Sequence, residues 1–167
     1  MQIDLLQSDD IGKIVEAFSS LGWPGKDYPQ YESYLAEQTV GARIVLVARS
    51  NGEFAGYLTV LWESAYAPFR EAGIPEVQDL NVLPSFRRQG IATALMDLAE
   101  DHEGTRSAVV GIGVGLYPDY GAAQKLYVQR GYLPDGRGIA YQNQTVRPGE
   151  TVRVDDDLVL MFTKSLL

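Results

Sequence analysis

The chain of 167 residues contains no cysteine. Disulfides, thiolate nucleophiles and thiolate metal ligands are excluded together. Its one histidine, His102, is too few for a histidine-based catalytic triad or zinc site. In "LAEDHEG" it falls at an expected helix end, where it reads as a side chain that compensates the helix dipole. No apolar run approaches the roughly 20 residues that a membrane span needs. "MQIDLLQSDD" at the start has neither the basic region nor the apolar stretch of a secretory signal, so a cytoplasmic protein is expected. Positive charge is also scarce. Fourteen Lys and Arg stand against 22 Asp and Glu, a net charge of −8, which argues against non-specific binding to nucleic acid or anionic membrane and is compatible with an amine partner.

What is present suits a core of ordinary size: 46% of residues are hydrophobic and 22% charged, as in a single folded domain spanning 1–167. "DDIGKIVEAFSSLG" (9–22) repeats Ile11, Ile14, Val15 and Phe18 at helical spacing, with Ser8 as the expected cap. After the turn-rich "WPGKDYP", "QYESYLAEQTVG" predicts a second short helix. "ARIVLVARSNGEFAGYLTVLW" predicts two strands joined at Asn51-Gly52, and a loop carrying Pro68, Gly73 and Pro75 follows. "EVQDLNVL" is the next strand, and the helix after Pro84 places Ile91, Ala94, Leu95, Leu98 and Ala99 on one face. "SAVVGIGVGL" predicts a strand buried on both faces, and "YGAAQKLYVQRG" a helix stopped by Gly131. Two antiparallel strands are expected in the tail, with a further strand conceivable at "QIDLL". The fold class is α/β, a mixed sheet covered by helices.

In "PSFRRQGIATAL" (84–95), a strand, a glycine-punctured turn and a helix start follow in succession. The first N–H groups of a helix lack intrahelical partners and sit at the positive end of its dipole. Arg87 and Arg88 could add charge-assisted bonds to an anion there. The same turn would also serve as a mere connection, with Gly90 relieving strain and both arginines in water. Other phosphate motifs fail. There is no G-x-x-x-x-G-K-[ST], and "GIGVGL" has Leu116 where a dinucleotide fingerprint needs glycine. Glycines inside a strand pattern mark a bulge or a close backbone approach instead.

"NVLPSFRRQGIATALMDLAE" resembles the acyl-CoA motif of the GNAT superfamily of N-acyltransferases, [RQ]-x-x-G-x-[GA], with Arg87, Gly90 and Ala92 at its defining positions. "AAQKLYVQRGY" is similar to that family's second motif, matched by Ala123, Leu126, Tyr127, Gly131 and Tyr132. The resemblance is firm over residues 76–132 and loose outside. It implies a GNAT-like fold, a central and mostly antiparallel sheet of six to seven strands flanked by about four helices. It also implies acetyl-CoA as co-substrate, with no metal. The turn formed by Arg87, Arg88, Gln89, Gly90, Ile91, Ala92 and Thr93 would then cradle the pyrophosphate. Leu80, Asn81 and Val82 would hold the pantetheine arm, with Tyr120, Ala123 and Tyr127 also at the cofactor.

Acyl transfer needs a neutral amine, a stabilised oxyanion and a proton for the leaving thiolate. By the resemblance, Tyr127 is the general acid and the Val82 backbone N–H the oxyanion donor, on a strand that is bulged in the family. Glu76, eleven residues before Arg87, stands at the offset of the glutamate base of some histone-acetylating members. Asp79 and a water chain remain the alternatives for the base. A regular strand points positions 76 and 79 to opposite faces unless a bulge intervenes. Tyr120 stands where the second motif commonly has Asn, a departure that Gln124 on the same helical face could offset.

The resemblance thus implies an N-acetyltransferase working by direct transfer in a ternary complex on a small-molecule or peptide amine. A non-catalytic acyl-CoA-binding sensor is the alternative. Segments 23–34 and 62–73, rich in Trp, Tyr, Phe and Glu, are expected to line the acceptor site, or else to pack as ordinary loops. A C-terminal edge strand leaves a homodimer open.

Overall fold

The computed structural model describes residues 1–167. In chain order its elements are β1 (Gln2–Leu5), α1 (Ser8–Ser20), α2 (Tyr28–Thr39), β2 (Arg43–Ser50), β3 (Glu53–Leu61), α3 (Ala67–Ala72) and β4 (Glu76–Val82). They continue with α4 (Ile91–Gly104), β5 (Val109–Gly115), α5 (Gly121–Gln129), β6 (Leu133–Tyr141), β7 (Gln144–Thr145) and β8 (Leu158–Ser165). Short 3-10 turns at Pro84–Phe86 and Pro118–Tyr120 lead into α4 and α5. The strands form one mixed sheet in the order β1-β2-β3-β4-β5-β8-β6-β7.

Eight strands and five helices exceed the expected count, for three local reasons. The segment "QIDLL" does pair, β1 lying antiparallel to β2 with Gln2 opposite Arg49. The loop expected around Pro68 and Gly73 is in fact a helix. Pro68 occupies its first turn, where a missing N–H costs nothing, and Gly73 closes it at φ +65°. In the tail, Gln142 and Asn143 both take positive φ (49° and 62°), so β6 and β7 form a tight hairpin before β8. A smaller correction concerns α1. Its cap is Gln7, not Ser8, and the Gln7 N–H donates to the Asp10 carboxylate at 3.0 Å.

The chain forms two compact units. The first comprises Met1–Leu61 and Gln78–His102. Its core gathers Leu6, Ile11, Ile14, Phe18, Tyr31, Val45, Val47, Tyr57 and Leu83, the apolar stripe of α1 meeting the inner face of β2 and β3. Asn51 and Gly52, at φ 52° and 82°, make the β2–β3 turn as expected. Arg49 pins β1 and α1 through Asp4 (2.8 Å) and Asp10 (2.6 Å).

The second unit comprises Trp62–Val77 and Glu103–Leu167. Here β4 and β5 run parallel through the pairs Glu76–Gly111 and Val77–Ile112, and β5 pairs antiparallel with β8 from Val109–Ser165 to Gly115–Val159. The glycines of "GIGVGL" work by close approach. A Cβ on Gly111 would lie 2.2 Å from the Phe69 ring, and one on Gly115 2.3 Å from the Tyr120 ring.

Gly56 on β3 is the tightest backbone approach in the first unit, since a Cβ there would stand 2.5 Å from the Asn81 carbonyl oxygen and 3.0 Å from the Val82 Cα. Backbone cannot rotate away as a side chain can. Gly56→Ala is expected to cost about 1–3 kcal/mol in urea unfolding. Gly121→Ala, at a right-handed helical position where a Cβ meets nothing within 4 Å, should not lower the midpoint and should raise it slightly.

Candidate active site

Strand β4 breaks its regular conformation at Asp79, whose φ of 56° is unusual for a non-glycine residue. The strand thus leaves its regular conformation one to three residues before Leu80, Asn81 and Val82, in the segment where a bulge is expected. Asp79 is half-buried, and protein donors surround its carboxylate. Its carboxylate accepts from Lys26 and Tyr57 in short contacts, from Tyr34 (3.1 Å), from Gln30 (3.3 Å) and from the Asn81 side-chain amide (2.8 Å). The Tyr31 hydroxyl donates to the Tyr57 hydroxyl oxygen at 3.3 Å. The Lys26 ammonium also lies 2.8 Å from the Tyr57 oxygen and over the Phe18 and Tyr57 rings. Beside this cluster, buried Arg43 donates to Glu37 (2.6 Å), Thr59 (2.7 Å) and Gln78 (3.1 Å) and covers the Tyr34 ring at 4.4 Å.

The turn from Arg87 to Thr93 follows on the same unit. Arg88 (φ 60°) and Gly90 (φ 79°) are left-handed, which turns the chain sharply into α4. The Gly90 carbonyl accepts the first helical bond, from Ala94 N–H at 3.0 Å, so Ile91, Ala92 and Thr93 carry the first-turn N–H groups. A Cβ on Gly90 would meet nothing within 4 Å, and Arg87, Arg88, Gln89, Gly90 and Thr93 are exposed. Ile91 is buried and Ala92 half-buried, anchoring the helix start. Arg87 Nε donates to the Val82 carbonyl at 3.2 Å, and its guanidinium lies 5.9 Å from the Trp23 ring. Gln89 Nε2 donates to the Ser85 carbonyl at 3.2 Å. Within this unit, the expected strand residues and the expected turn residues are thus tied directly together.

The remaining candidates belong to the second unit. Glu76 is buried and accepts from Ser64 Oγ, which in turn accepts from the Tyr66 N–H at 3.0 Å. Tyr120 forms the cap position of α5, and its hydroxyl donates to Asp156 at 2.8 Å. Gln124 donates to the carbonyl at the end of β5, Gly115, at 2.8 Å. Ala123 is half-buried on the same helix. Tyr127 is 5% exposed and packs on Tyr132 with ring centroids 5.9 Å apart. Burial alone pushes its phenol far above the usual range. No protein group hydrogen-bonds its hydroxyl, which leaves that O–H free for a ligand.

A sequence profile described as the Acetyltransferase (GNAT) family matches residues 9–132. The chain belongs to this family. A search of curated proteins returned no match. Among solved structures, this GNAT acetyltransferase is similar to a ribosomal-protein-alanine N-acetyltransferase from Brucella melitensis (TM-score 0.71, 18% identity, 99% of each chain covered). It is also similar to an aminoglycoside 6'-N-acetyltransferase complexed with coenzyme A (0.66, 15%, 100% of this chain and 98% of that one). A spermidine/spermine N-acetyltransferase from Vibrio cholerae gives 0.66 at 16%, covering 99% of this chain and 92% of that one. At such identities the likeness is one of fold.

Two features of this GNAT acetyltransferase escape a reading of motifs. Tyr34 of α2 and Tyr57 of β3 converge on Asp79 from 45 and 22 residues away, and Lys26 from 53, so no local spacing announces them. Arg43 likewise reads as an ordinary strand-end cation until its four partners are seen. Near Asp79 no phenol ionises readily. Burial first, then the Asp79 charge, pushes Tyr34 up to about 12, and burial raises Tyr31 and Tyr57 strongly.

The sign of the pH dependence follows. Unfolded tyrosines lose their protons near pH 10, before the buried ones do, so their contribution to stability is complete below that value. It falls as pH rises from about 10 through the folded value, about 12 for Tyr34. Tyrosinate absorbance is expected to rise in two stages, the second coinciding with loss of near-ultraviolet circular dichroism. One stage near pH 10 in a chain that stays folded would show these hydroxyls to be exposed.

Proposed function

We propose that this GNAT acetyltransferase transfers an acetyl group from acetyl-CoA to a primary amine by direct transfer in a ternary complex. The observation that carries this reading is the start of α4. The longer helices that precede it meet their own carboxylates: α1 has Asp9 and Asp10 in its first turn, and the Asp27 side chain accepts from Gln30 N–H at the start of α2. Helix α4 has no acidic residue in its first turn and follows a glycine that has no capping oxygen. In a chain of net charge −8, the exposed Arg87 and Arg88 flank that bare N-terminus. This is the arrangement an exogenous polyanion needs. A pyrophosphate fits it, because Gly90 leaves open space where a side chain would stand.

When bound, acetyl-CoA supplies an activated acyl group on a thiolate leaving group. The chain's own residues would supply the rest. Ile91, Ala92 and Thr93 present backbone donors to the pyrophosphate, with Arg87, Arg88 and Gln89 beside them. Leu80 and Asn81 hold the pantetheine arm, with Tyr120 and Ala123 as further cofactor contacts. The Val82 N–H is the proposed oxyanion donor, three residues beyond the left-handed Asp79. Glu76 is the proposed base. Tyr127 is the proposed acid: its raised phenol keeps its proton throughout the neutral range and its O–H has no competing protein partner. The acceptor is an amine of small-molecule or peptide type. The relatives' acceptors, an aminoglycoside, a ribosomal-protein alanine and spermidine, support an amine and do not choose among its kinds.

Two measurements test this reading. Saturating acetyl-CoA at about 100 times Kd should add roughly 2.7 kcal/mol, a Tm rise of several degrees, where NADH and ATP add none. Absence of any shift at millimolar concentration would remove the pyrophosphate assignment. Tyr127→Phe should slow free-thiol release at least tenfold, about 1.4 kcal/mol of barrier, with acetyl-CoA affinity almost unchanged. Unimpaired turnover would remove Tyr127 from the chemistry, and binding without any turnover for the wild type would leave an acyl-CoA-binding module.

A further inference from the structure

The cluster around Asp79 has the composition of a binding site for a primary ammonium, and it already holds one. The Lys26 ammonium contacts the Asp79 carboxylate, lies 2.8 Å from the Tyr57 oxygen, and sits 5.4 Å and 5.9 Å from the Tyr57 and Phe18 ring centroids. An anion, a hydroxyl acceptor and a neighbouring aromatic ring are the parts from which cation sites are built. One further part is unused. Gln30 Nε2 donates to Asp79 and to the Tyr34 hydroxyl (2.9 Å), while Gln30 Oε1 is buried without any hydrogen-bond partner. A buried carbonyl left unpaired carries a cost that a visiting N–H would relieve.

The occupant is supplied by a turn, not by a rigid element. Lys26 follows Gly22 and Gly25, both left-handed (φ 68° and 72°) with open space where side chains would stand. It precedes Asp27, which caps α2. The same turn carries Trp23, stacked on Phe18 at 5.3 Å and facing the Arg87 guanidinium. Asp79 itself lies two residues before Asn81 and three before Val82 on β4. The cage is thus built on the strand to which the proposed function assigns the pantetheine contacts and the oxyanion donor.

We propose that this cage is the site that recognises an ammonium group of the acceptor, and that Lys26 is its tethered occupant, displaced when an acceptor enters. The proposal rests on the N-acetyltransferase reading for the word acceptor, but the cage and its ligand class are testable without acetyl-CoA. The ligand is an unhindered primary alkylammonium. Its N–H groups replace those of Lys26 at Asp79 and Tyr57. A quaternary ammonium has no N–H to give, and a neutral alcohol has no charge for Asp79.

Lys26→Ala removes three methylenes and the ammonium, the equivalent of n-propylammonium. Titrating that variant with n-propylammonium chloride should raise its Tm saturably, by about 3–6 °C at ten times Kd, with a matching change in Trp23 fluorescence read in a Trp62→Phe background. Tetramethylammonium, 1-propanol and sodium chloride at equal ionic strength should not reproduce it, and Asp79→Asn in the same background should abolish it. A response to propylammonium no larger than that to sodium would overturn the proposal and leave Lys26 as a structural pin. If Lys26→Ala does not fold, Lys26→Met keeps the side chain's length and lacks only the ammonium; ammonium chloride should then stabilise it beyond sodium chloride, and equal effects would overturn the proposal. Acetyl-CoA shifts recorded on the same proteins separate the two readings. An acetyl-CoA shift without an alkylammonium response refutes the cage alone, and the converse refutes the acetyltransferase reading alone.

Discussion

The Asp79 carboxylate is the constraint around which the first unit is arranged. A carboxylate withdrawn from water in mid-strand must be met by donors, or its desolvation opposes folding. Five residues meet it, and they come from the turn before α2 (Lys26), from α2 (Gln30 and Tyr34), from β3 (Tyr57) and from β4 (Asn81). One side chain therefore fixes how α2 lies over β3 and β4. The left-handed backbone at Asp79 costs on the order of 1–3 kcal/mol. Hydrogen bonds to a charged group contribute about 1.5–3 kcal/mol each, so the cluster can hold β4 in a conformation that a regular strand would reject. Gly56 completes the arrangement, because only a residue without a Cβ allows β3 to approach Asn81 and Val82 so closely.

Charge placement is equally economical. The chain is acidic overall, and the carboxylates near helix starts serve α1 and α2, through Asp9, Asp10 and Asp27. The longer helix α4 differs from these two, with two arginines before its start where acids would be expected to help. The Arg87 bond to the Val82 carbonyl, together with its approach to Trp23, orients one of those exposed arginines against the strand. Net charge consequently says little about the ligand of a local site. What decides is which helix ends are satisfied internally.

Local chemistry was legible in the sequence wherever a single residue determines a conformation. The Asn51-Gly52 turn, the stop at Gly131 and the glycine turn into α4 are of that kind. So are the glycines of β5, whose close approaches to the Phe69 and Tyr120 rings require the absence of a Cβ. Proline and glycine misled where the same residues punctuate two different structures: Pro68 and Gly73 suit a loop, and equally the first turn and the left-handed end of the short helix α3. Gln142-Asn143 was overlooked because neither residue is glycine, although both adopt positive φ. The motifs around Arg87 and Tyr127 suggested the family, yet the Asp79 cluster left no such trace. Its members have in common only the carboxylate that the folded chain brings them to.

That cluster also raises the question of why a lysine stands at position 26. A pair chosen for stability alone has cheaper solutions, since apolar residues of similar volume often serve as well as a buried ion pair. Arginine, with its planar fork, would demand a bidentate partner; yet one oxygen of Asp79 already receives Tyr34, Tyr57 and Gln30, and the other Asn81. A compact ammonium on a flexible stem makes its contacts from one point. Lysine is the one protein side chain that ends as a primary alkylammonium does. A site that holds it so closely is matched to that class of group, whether the group arrives on the chain or from solution.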